Sequence, residues 1–542
     1  MTGINFCRPI FEAAQRHPER PALTVPGTGG GPAQTWTYAA FVQAVAQQQH
    51  ALQAQGLSTG DRVLLLARPG IHLYVLMIAM LGLGIVPVMV ERGMPRAKLR
   101  AVLRQAGLKA VLGEHAALRW WPVFPALWRL PLWALDGATW GVRSWPARTT
   151  PPDTPLQAIA QPLPQAAHGI ITFTSGSTGL PKGADRTHAS LLAQHHAIRA
   201  HWPDQSTDID LPSFPVLVLH NLCCGIQTVL PDTDLAFPAQ VAAKSVLAQI
   251  TAQRITRLTG SPAYLRGLTD RAVQQGLTFA GVRSVVIGGA TLTRPLAQRC
   301  RQVFPLAEIL IVYGSTEAEP IAEVRVEELL ADWDQHPGHL VGSPASNTHV
   351  RIVSMDADLG SEQAVDAASL PVGQEGEVLV AGEHVLQAYV DNPRATAENK
   401  IPRADGLVWH RTGDTAIQDA QGRLWLTGRL ADRLNVHGQH QSAYPIEKAL
   451  DALDGVIRSA VINHPKQPGQ TVVVLQGQPQ DTAAALALLR QFKLSHALLC
   501  TVPHMPVDMR HNSKLDRPTL RERLTQGQLS TQPIGQAWKA AA

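Results

Sequence analysis

The run Thr174-Ser175-Gly176-Ser177-Thr178-Gly179-Leu180-Pro181-Lys182-Gly183 has the composition of a polyphosphate grip. Glycines let backbone N–H groups come close to an anion, hydroxyls add donors, and a lysine adds a mobile positive charge. The run follows a short apolar segment of strand character, Gly169-Ile170-Ile171-Thr172-Phe173. An ordinary P-loop is excluded. That pattern places Ser or Thr directly after a Gly-Lys pair, whereas here Leu180-Pro181 separate Gly179 from Lys182 and Gly183 follows. A Gly/Ser linker has no use for the Pro-Lys-Gly ending, so the run implies a nucleotide triphosphate.

Three further groups fall near strand ends, where ligands of parallel α/β sheets collect. Tyr313-Gly314-Ser315-Thr316-Glu317 follows an apolar strand. There Tyr313 is suited to stack on a base and Thr316 to bond a phosphate. Glu317 is suited to hold Mg²⁺, a hard cation that prefers oxygen. Gly288-Gly289-Ala290 reads either as a simple turn or as backbone laid against an adenine. Thr412-Gly413-Asp414, after Trp409-His410-Arg411, reads either as an Asx turn or as a carboxylate for two ribose hydroxyls.

In their order and spacing these runs resemble the signature of the adenylate-forming superfamily, which includes acyl-CoA synthetases, luciferases and peptide-synthetase adenylation domains. The resemblance spans about residues 36–517. It implies that Thr174, Ser175, Gly176, Ser177, Thr178, Gly179 and Lys182 grip the phosphates of ATP. It places Gly288, Gly289 and Ala290 against the adenine and Asp414 on the ribose, and it gives Tyr313, Gly314, Ser315, Thr316 and Glu317 the roles above. Gly428-Arg429-Leu430-Ala431-Asp432-Arg433 resembles the superfamily's hinge, with Arg429 contacting the ribose or phosphates. Ala431 stands where the family usually carries Asp or Lys. Arg510-His511-Asn512-Ser513-Lys514-Leu515-Asp516-Arg517 resembles the C-terminal Thr-x-x-Gly-Lys-x-x-Arg motif, with Arg510 and Ser513 in place of Thr and Gly. By that resemblance Lys514 bridges the carboxylate and the α-phosphate during adenylation, and a rotation about the hinge then completes a second site for the acyl acceptor.

The acid itself is read from Phe214-Pro215-Val216-Leu217-Val218-Leu219-His220-Asn221, which matches the region bordering the acyl pocket. Many relatives have Pro-x-x-His here; this chain has Val218 at that His and His220 two residues later. Phe214, Val218 and His220 are therefore expected in the pocket. An apolar run with no Asp to hold an amino group implies a hydrophobic, fatty acid rather than an amino acid. Segments 86–94 and 506–514 look like the branch holding fatty acyl-CoA synthetase-like proteins and the β-lactone synthetases of olefin biosynthesis. Asp432, Gly438 and Pro445-Ile446-Glu447 look closer to ordinary ligases, and Gly438 lies where CoA-using relatives pass the pantetheine arm. The leading expectation is a thioester with CoA, using ATP and Mg²⁺. The alternatives are a β-lactone formed from a β-hydroxy acid without CoA, and loading of an acyl carrier protein.

These groups need a scaffold, and the 542 residues suffice for several cores. Helical patterns at 38–55, 96–105, 190–199 and 295–303 alternate with strand patterns at 63–66, 109–112, 285–287 and 309–312. That alternation predicts parallel sheet packed by helices, and 375–380 reads as antiparallel strand. The fold expected is α/β. A large N-terminal domain (1–428) holds parallel α/β subdomains and a β-barrel-like part, followed by a hinge (429–432), a small mobile α+β lid (433–525) and a loose tail (526–542). Residues 71–90 carry no charge, but Gly82, Gly84 and Pro87 interrupt them. A buried helix at 73–81 turning into a buried strand at 85–90 fits better than a membrane span.

The tryptophans Trp120, Trp121, Trp128, Trp133, Trp140 and Trp145 read either as a packed surface subdomain or as an amphipathic patch for membrane or lipid. No basic tract accompanies the net charge of +5, so nucleic-acid binding is not expected. Five cysteines without regular spacing argue against a disulfide framework, and no His/Cys run has zinc-site spacing. No secretory signal is visible at the start, and a reducing cytoplasmic setting is expected.

Overall fold

The structure, a computed structural model, describes residues 3–27, 31–138, 140–146, 157–174, 181–508 and 513–538. The charge-free stretch resolves into the helix Ile71–Leu83 and the strand Val86–Val90. Every residue from Leu73 to Leu83 is buried, as expected of a helix apolar on all sides. Gly84, left-handed at φ +71°, ends it. No described helix is long and apolar enough to cross a membrane.

A seven-stranded sheet lies beside that helix. Its strands are parallel except at one edge. There His168–Thr174 runs parallel to Val86–Val90 but antiparallel to Lys182–Thr187, with Thr174 paired to Lys182. The phosphate-grip run therefore connects two neighbouring strands. A second, larger sheet holds the parallel strands Arg257–Gly260, Ser284–Gly288 and Glu308–Ser315. Ala318–Arg325 pairs antiparallel with both Glu308–Ser315 and His339–Pro344, which carries the sheet on to Leu424–Arg429 and Val408–Gln418. The antiparallel part is thus continuous with the parallel sheet rather than a separate barrel.

Residues 434–538 build their own cores. Val461, Val473 and Leu489 sit in one, and Val474, Cys500 and Leu520 in the other. Lys448, on the helix Ala443–Asp451, fastens this unit to the rest. Its Nζ donates to the carbonyls of Trp333, His336 and Gly338 at 2.6, 2.9 and 2.9 Å. The expectation of a loose tail is corrected. Gln532–Pro533 pairs with Leu498–Val502, and Ile534 and Trp538 bury their side chains in the core. Two apolar anchors in an otherwise polar segment are enough to dock it.

The tryptophan segment divides. Trp133 and Trp145 are buried edge to face at 5.4 Å, and Trp145 Nε1 donates to Gln48 at 2.7 Å. Trp128 and Trp140 remain 61% and 78% exposed.

Burial of neutral histidines has a consequence for acid stability. It pushes His188 from 6.5 down to about 4, and His339 down to about 3, with Lys448 adding to the effect there. Such a group is unprotonated when folded and takes a proton near 6.5 when unfolded. Its contribution is complete above that pH and is lost as pH falls toward the folded value. For His188 the span corresponds to about 3 kcal/mol. The thermal midpoint is expected to drop steeply between pH 6.5 and 4, with a shallower slope in His188→Gln. A midpoint that stays flat over this range would contradict the burial argument.

Candidate active site

One cleft of about 2350 Å³ runs between the large sheets and the C-terminal unit. Strand ends supply its floor. Gly288 and Val312 are paired neighbours. Past them lie Gly289-Ala290 and the strand end Tyr313-Gly314-Ser315 with Thr316-Glu317, all of which line the cleft. Gly289 has φ +92°, which a side chain would strain. Lys182, Asp414, Arg429 and Lys514 line the same space, as does Phe214.

Asp414 is held from two sides. Tyr313 donates its hydroxyl to Oδ2 at 2.7 Å, and Arg429 Nε lies 2.9 Å from Oδ1. The pairing follows from the sheet, because Asp414 and Arg429 are directly opposite on adjacent strands. Asp414 keeps the guanidinium of Arg429 firmly protonated. A carboxylate offers about four acceptor positions, so room remains for two hydroxyl donors. Gly413, at φ +68°, sits where the ladder of this strand shifts register, a bulge that presents Asp414.

Glu317 sits in a different setting. Tyr389 donates its hydroxyl to Oε1 at 3.0 Å. Burial favours the protonated acid, but His410 and Lys400 beside it, with that hydrogen bond, hold the carboxyl below its usual range. Burial in turn lowers Lys400 to about 7, against the pull of Glu317. Lys182 Nζ and Lys400 Nζ lie 5.1 and 5.6 Å from the centre of the Tyr389 ring. An ionised oxygen donor at the cleft wall is what a hard divalent cation requires, so Glu317 fits Mg²⁺. Thr316 is fixed through its backbone, its carbonyl accepting from Arg186 at 3.0 Å.

Lys514 is held through its backbone. Its N–H donates to Asp508 Oδ1 and its carbonyl accepts from the Asp508 N–H, both at 2.8 Å. Next to it, Ser513 Oγ accepts from Ala263 N–H at 3.1 Å, which ties this part of the chain to the larger unit. Asp432, in the expected hinge, accepts from Arg521 at 2.6 Å. Ala431 lines the cleft.

Several expected site residues fall elsewhere. Ser175, Gly176, Ser177, Thr178, Gly179 and Arg510 lie outside the described residues, and Thr174 ends its strand. Val218 and His220 do not line the cleft. Both are buried in the helix Pro215–Cys224, of which Val216, Leu217 and Leu219 reach the cavity. Val218 is on the opposite face and His220 lies one turn deeper, so the acyl-pocket assignment is corrected for both. Gly438 also lies off the cleft, at an exposed left-handed turn between Leu434–Val436 and Gln439–Gln441. Tyr389, Lys400 and His410 went unassigned from the sequence. His410 stands two residues before Thr412, and that nearness to the Thr-Gly-Asp run was the available signal.

A family model for AMP-binding enzymes matches residues 10–390. The chain belongs to that family. This AMP-binding enzyme is an adenylate-forming acid ligase. It is 31% identical to an olefin β-lactone synthetase of Stenotrophomonas maltophilia, over 95% of this chain and 97% of that protein. It is 29% identical to the olefin β-lactone synthetase of Xanthomonas campestris pv. campestris, over 96% and 97%. Among solved structures, the amide bond synthetase McbA of Marinactinospora thermotolerans superposes with a TM-score of 0.78 at 22% identity, covering 95% of this chain and 98% of that one. That likeness establishes the shared fold of the AMP-binding enzyme.

Proposed function

We propose that the enzyme activates a hydrophobic β-hydroxy acid and closes it to a β-lactone. The acid's carboxylate oxygen attacks the α-phosphorus of ATP, and pyrophosphate leaves. The β-hydroxyl oxygen of the acyl adenylate then bonds to the carbonyl carbon. AMP departs with the bonding electrons, and the hydroxyl proton passes to solvent. Lys514 and Lys182 would offset the charge on the phosphates, Glu317 would hold the Mg²⁺ that shields it, and Asp414 with Arg429 would fix the ribose. When bound there, the cation would supply Lewis-acid stabilisation of the developing phosphate charge.

The observation that carries the reading is the full-length likeness to the Stenotrophomonas β-lactone synthetase. The acyl wall agrees with it: Met77, Met89, Phe214, Leu217 and Leu219 face the cleft. Transfer to CoA is the second reading, favoured by Gly438, whose open turn leaves room for a pantetheine arm after a rotation about residues 429–432. Membrane contact through the tryptophan segment is no part of this proposal, in which the acid is held by the cleft.

Mass spectrometry of products separates these outcomes. The enzyme is incubated with ATP, Mg²⁺ and a panel of fatty and β-hydroxy fatty acids, with and without CoA. A product lighter than the acid by one water, formed without CoA, is expected. Acyl-CoA that forms only when CoA is present, with no lactone, would overturn the proposal in favour of a CoA ligase. AMP with neither product would point to a carrier protein.

A further inference from the structure

His220 left the acyl pocket for another company. On the helix Pro215–Cys224 it stands four residues before Cys224, so the two share a face. His195, on the helix His188–His201, meets them from the neighbouring element. His195 Nδ1 and His220 Nδ1 are 3.0 Å apart, and His220 Nε2 is 3.4 Å from Cys224 Sγ. One donor atom from each of the three lies within 4.8 Å of the other two. Among the described residues this is the one group of three or more His, Cys, Asp or Glu side chains so arranged.

We propose that His195, His220 and Cys224 form a binding site for a thiophilic divalent cation, Zn²⁺ in the first instance. Tetrahedral zinc with two imidazoles and a thiolate holds its donor atoms about 3.3–3.6 Å apart. His220 meets His195 through Nδ1 and Cys224 through Nε2, and only one of these nitrogens can ligate, so binding would draw inward three donor atoms that already lie within 4.8 Å of one another. A neutral imidazole offers one lone pair to a cation, and Cys224 would bind as the thiolate, its proton released to solvent.

Asp204, paired with Arg199 Nε at 2.7 Å, interacts with Cys224, on which Arg257 and Arg199 act with the opposite sign. A water would complete the fourth position. The two imidazoles are buried while Cys224 is half-buried, which leaves an entry path on the thiol side.

The site lies away from the reacting groups but touches the acyl wall. The first turns of the Pro215–Cys224 helix line the cleft through Val216 and Leu217, and the His188–His201 helix lines it through Leu191 and Ile198. The ion would clasp these two helices together. Linear spacing hides the site because 25 residues separate His195 from His220.

The test uses the full chain, stripped with chelator and titrated with Co²⁺ and then Zn²⁺. One equivalent of Co²⁺ is expected to produce tetrahedral d–d bands and a thiolate-to-cobalt charge-transfer band, both abolished by Zn²⁺. The thermal midpoint should rise by several degrees on binding. Cys224→Ser, with an unchanged circular dichroism spectrum, should lose the charge-transfer band. The cobalt spectrum of the unmodified protein needs no variant to fold. Its lack of a thiolate band would overturn the site, as would a band that persists in Cys224→Ser, since the thiolate would then belong to another cysteine.

Discussion

Lys514→Ala is expected to slow acyl-adenylate formation by about 10²–10³-fold, the usual cost of removing one preorganised electrostatic contact to a transition state, with ATP affinity changed only a few-fold. The reasoning is electrostatic. The attacking carboxylate and the α-phosphate are both anionic, and their approach concentrates charge between them. Lys514 lines the cleft that holds Glu317, Asp414 and Arg429. Its backbone is pinned by two hydrogen bonds to Asp508, and its neighbour Ser513 is pinned to Ala263. A cation held that way costs little reorganisation when the charge develops. ATP binding should survive, because Asp414 with its partners Tyr313 and Arg429 belongs to the larger unit and its strands. The measurement is ATP–pyrophosphate exchange beside equilibrium ATP binding. Chemically prepared acyl adenylate supplied to the variant should still be turned over. Exchange at the parent rate would mean that Lys514 has no part in adenylation.

How much of this site could be read in advance depended on what each residue needs. Gly289 and Glu317 owe their placement to the ends of strands and Asp414 to a position within one, and strand and turn are local patterns. They were legible together with the α/β alternation. The helix Ile71–Leu83 was legible for the same reason, since glycines and a proline mark where a charge-free run must change direction. Side-chain facing inside a helix is less local. Phe214 lines the cleft, whereas Val218 and His220 do not, because the helix Pro215–Cys224 presents only its first turns there. Contacts between distant segments were not legible at all. Tyr389 meets Glu317 across 72 residues, and His195 meets His220 across 25. Composition misled at the tail, where Ile534 and Trp538 outweigh their polar neighbours.

Glu317→Gln is the second large effect, and its size follows from what surrounds the carboxylate. The amide is isosteric and can still accept from the Tyr389 hydroxyl, so the fold should persist. What disappears is one negative charge in a nearly enclosed setting beside Lys400 and His410. A neutral amide is a much poorer ligand for a hard cation than an ionised carboxylate. The Mg²⁺ concentration for half-maximal adenylation should therefore rise by about tenfold or more, roughly 1.4 kcal/mol or above. Lys400 is already lowered to about 7 by burial, and Glu317 is the group that opposes this. Without it the Lys400 pKa should fall further, so the amine stays neutral down to lower pH and supplies no positive charge at that position near neutrality. Tyr389→Phe provides the contrast. It keeps the carboxylate and removes one hydrogen bond, a loss of about 1 kcal/mol, and should shift Mg²⁺ dependence only a few-fold. The experiment is an Mg²⁺ titration of pyrophosphate release for both variants. An unaltered Mg²⁺ dependence in Glu317→Gln would remove Glu317 from the metal site. Equal shifts in the two variants would mean that the Tyr389 hydrogen bond, rather than the charge, is what the site uses.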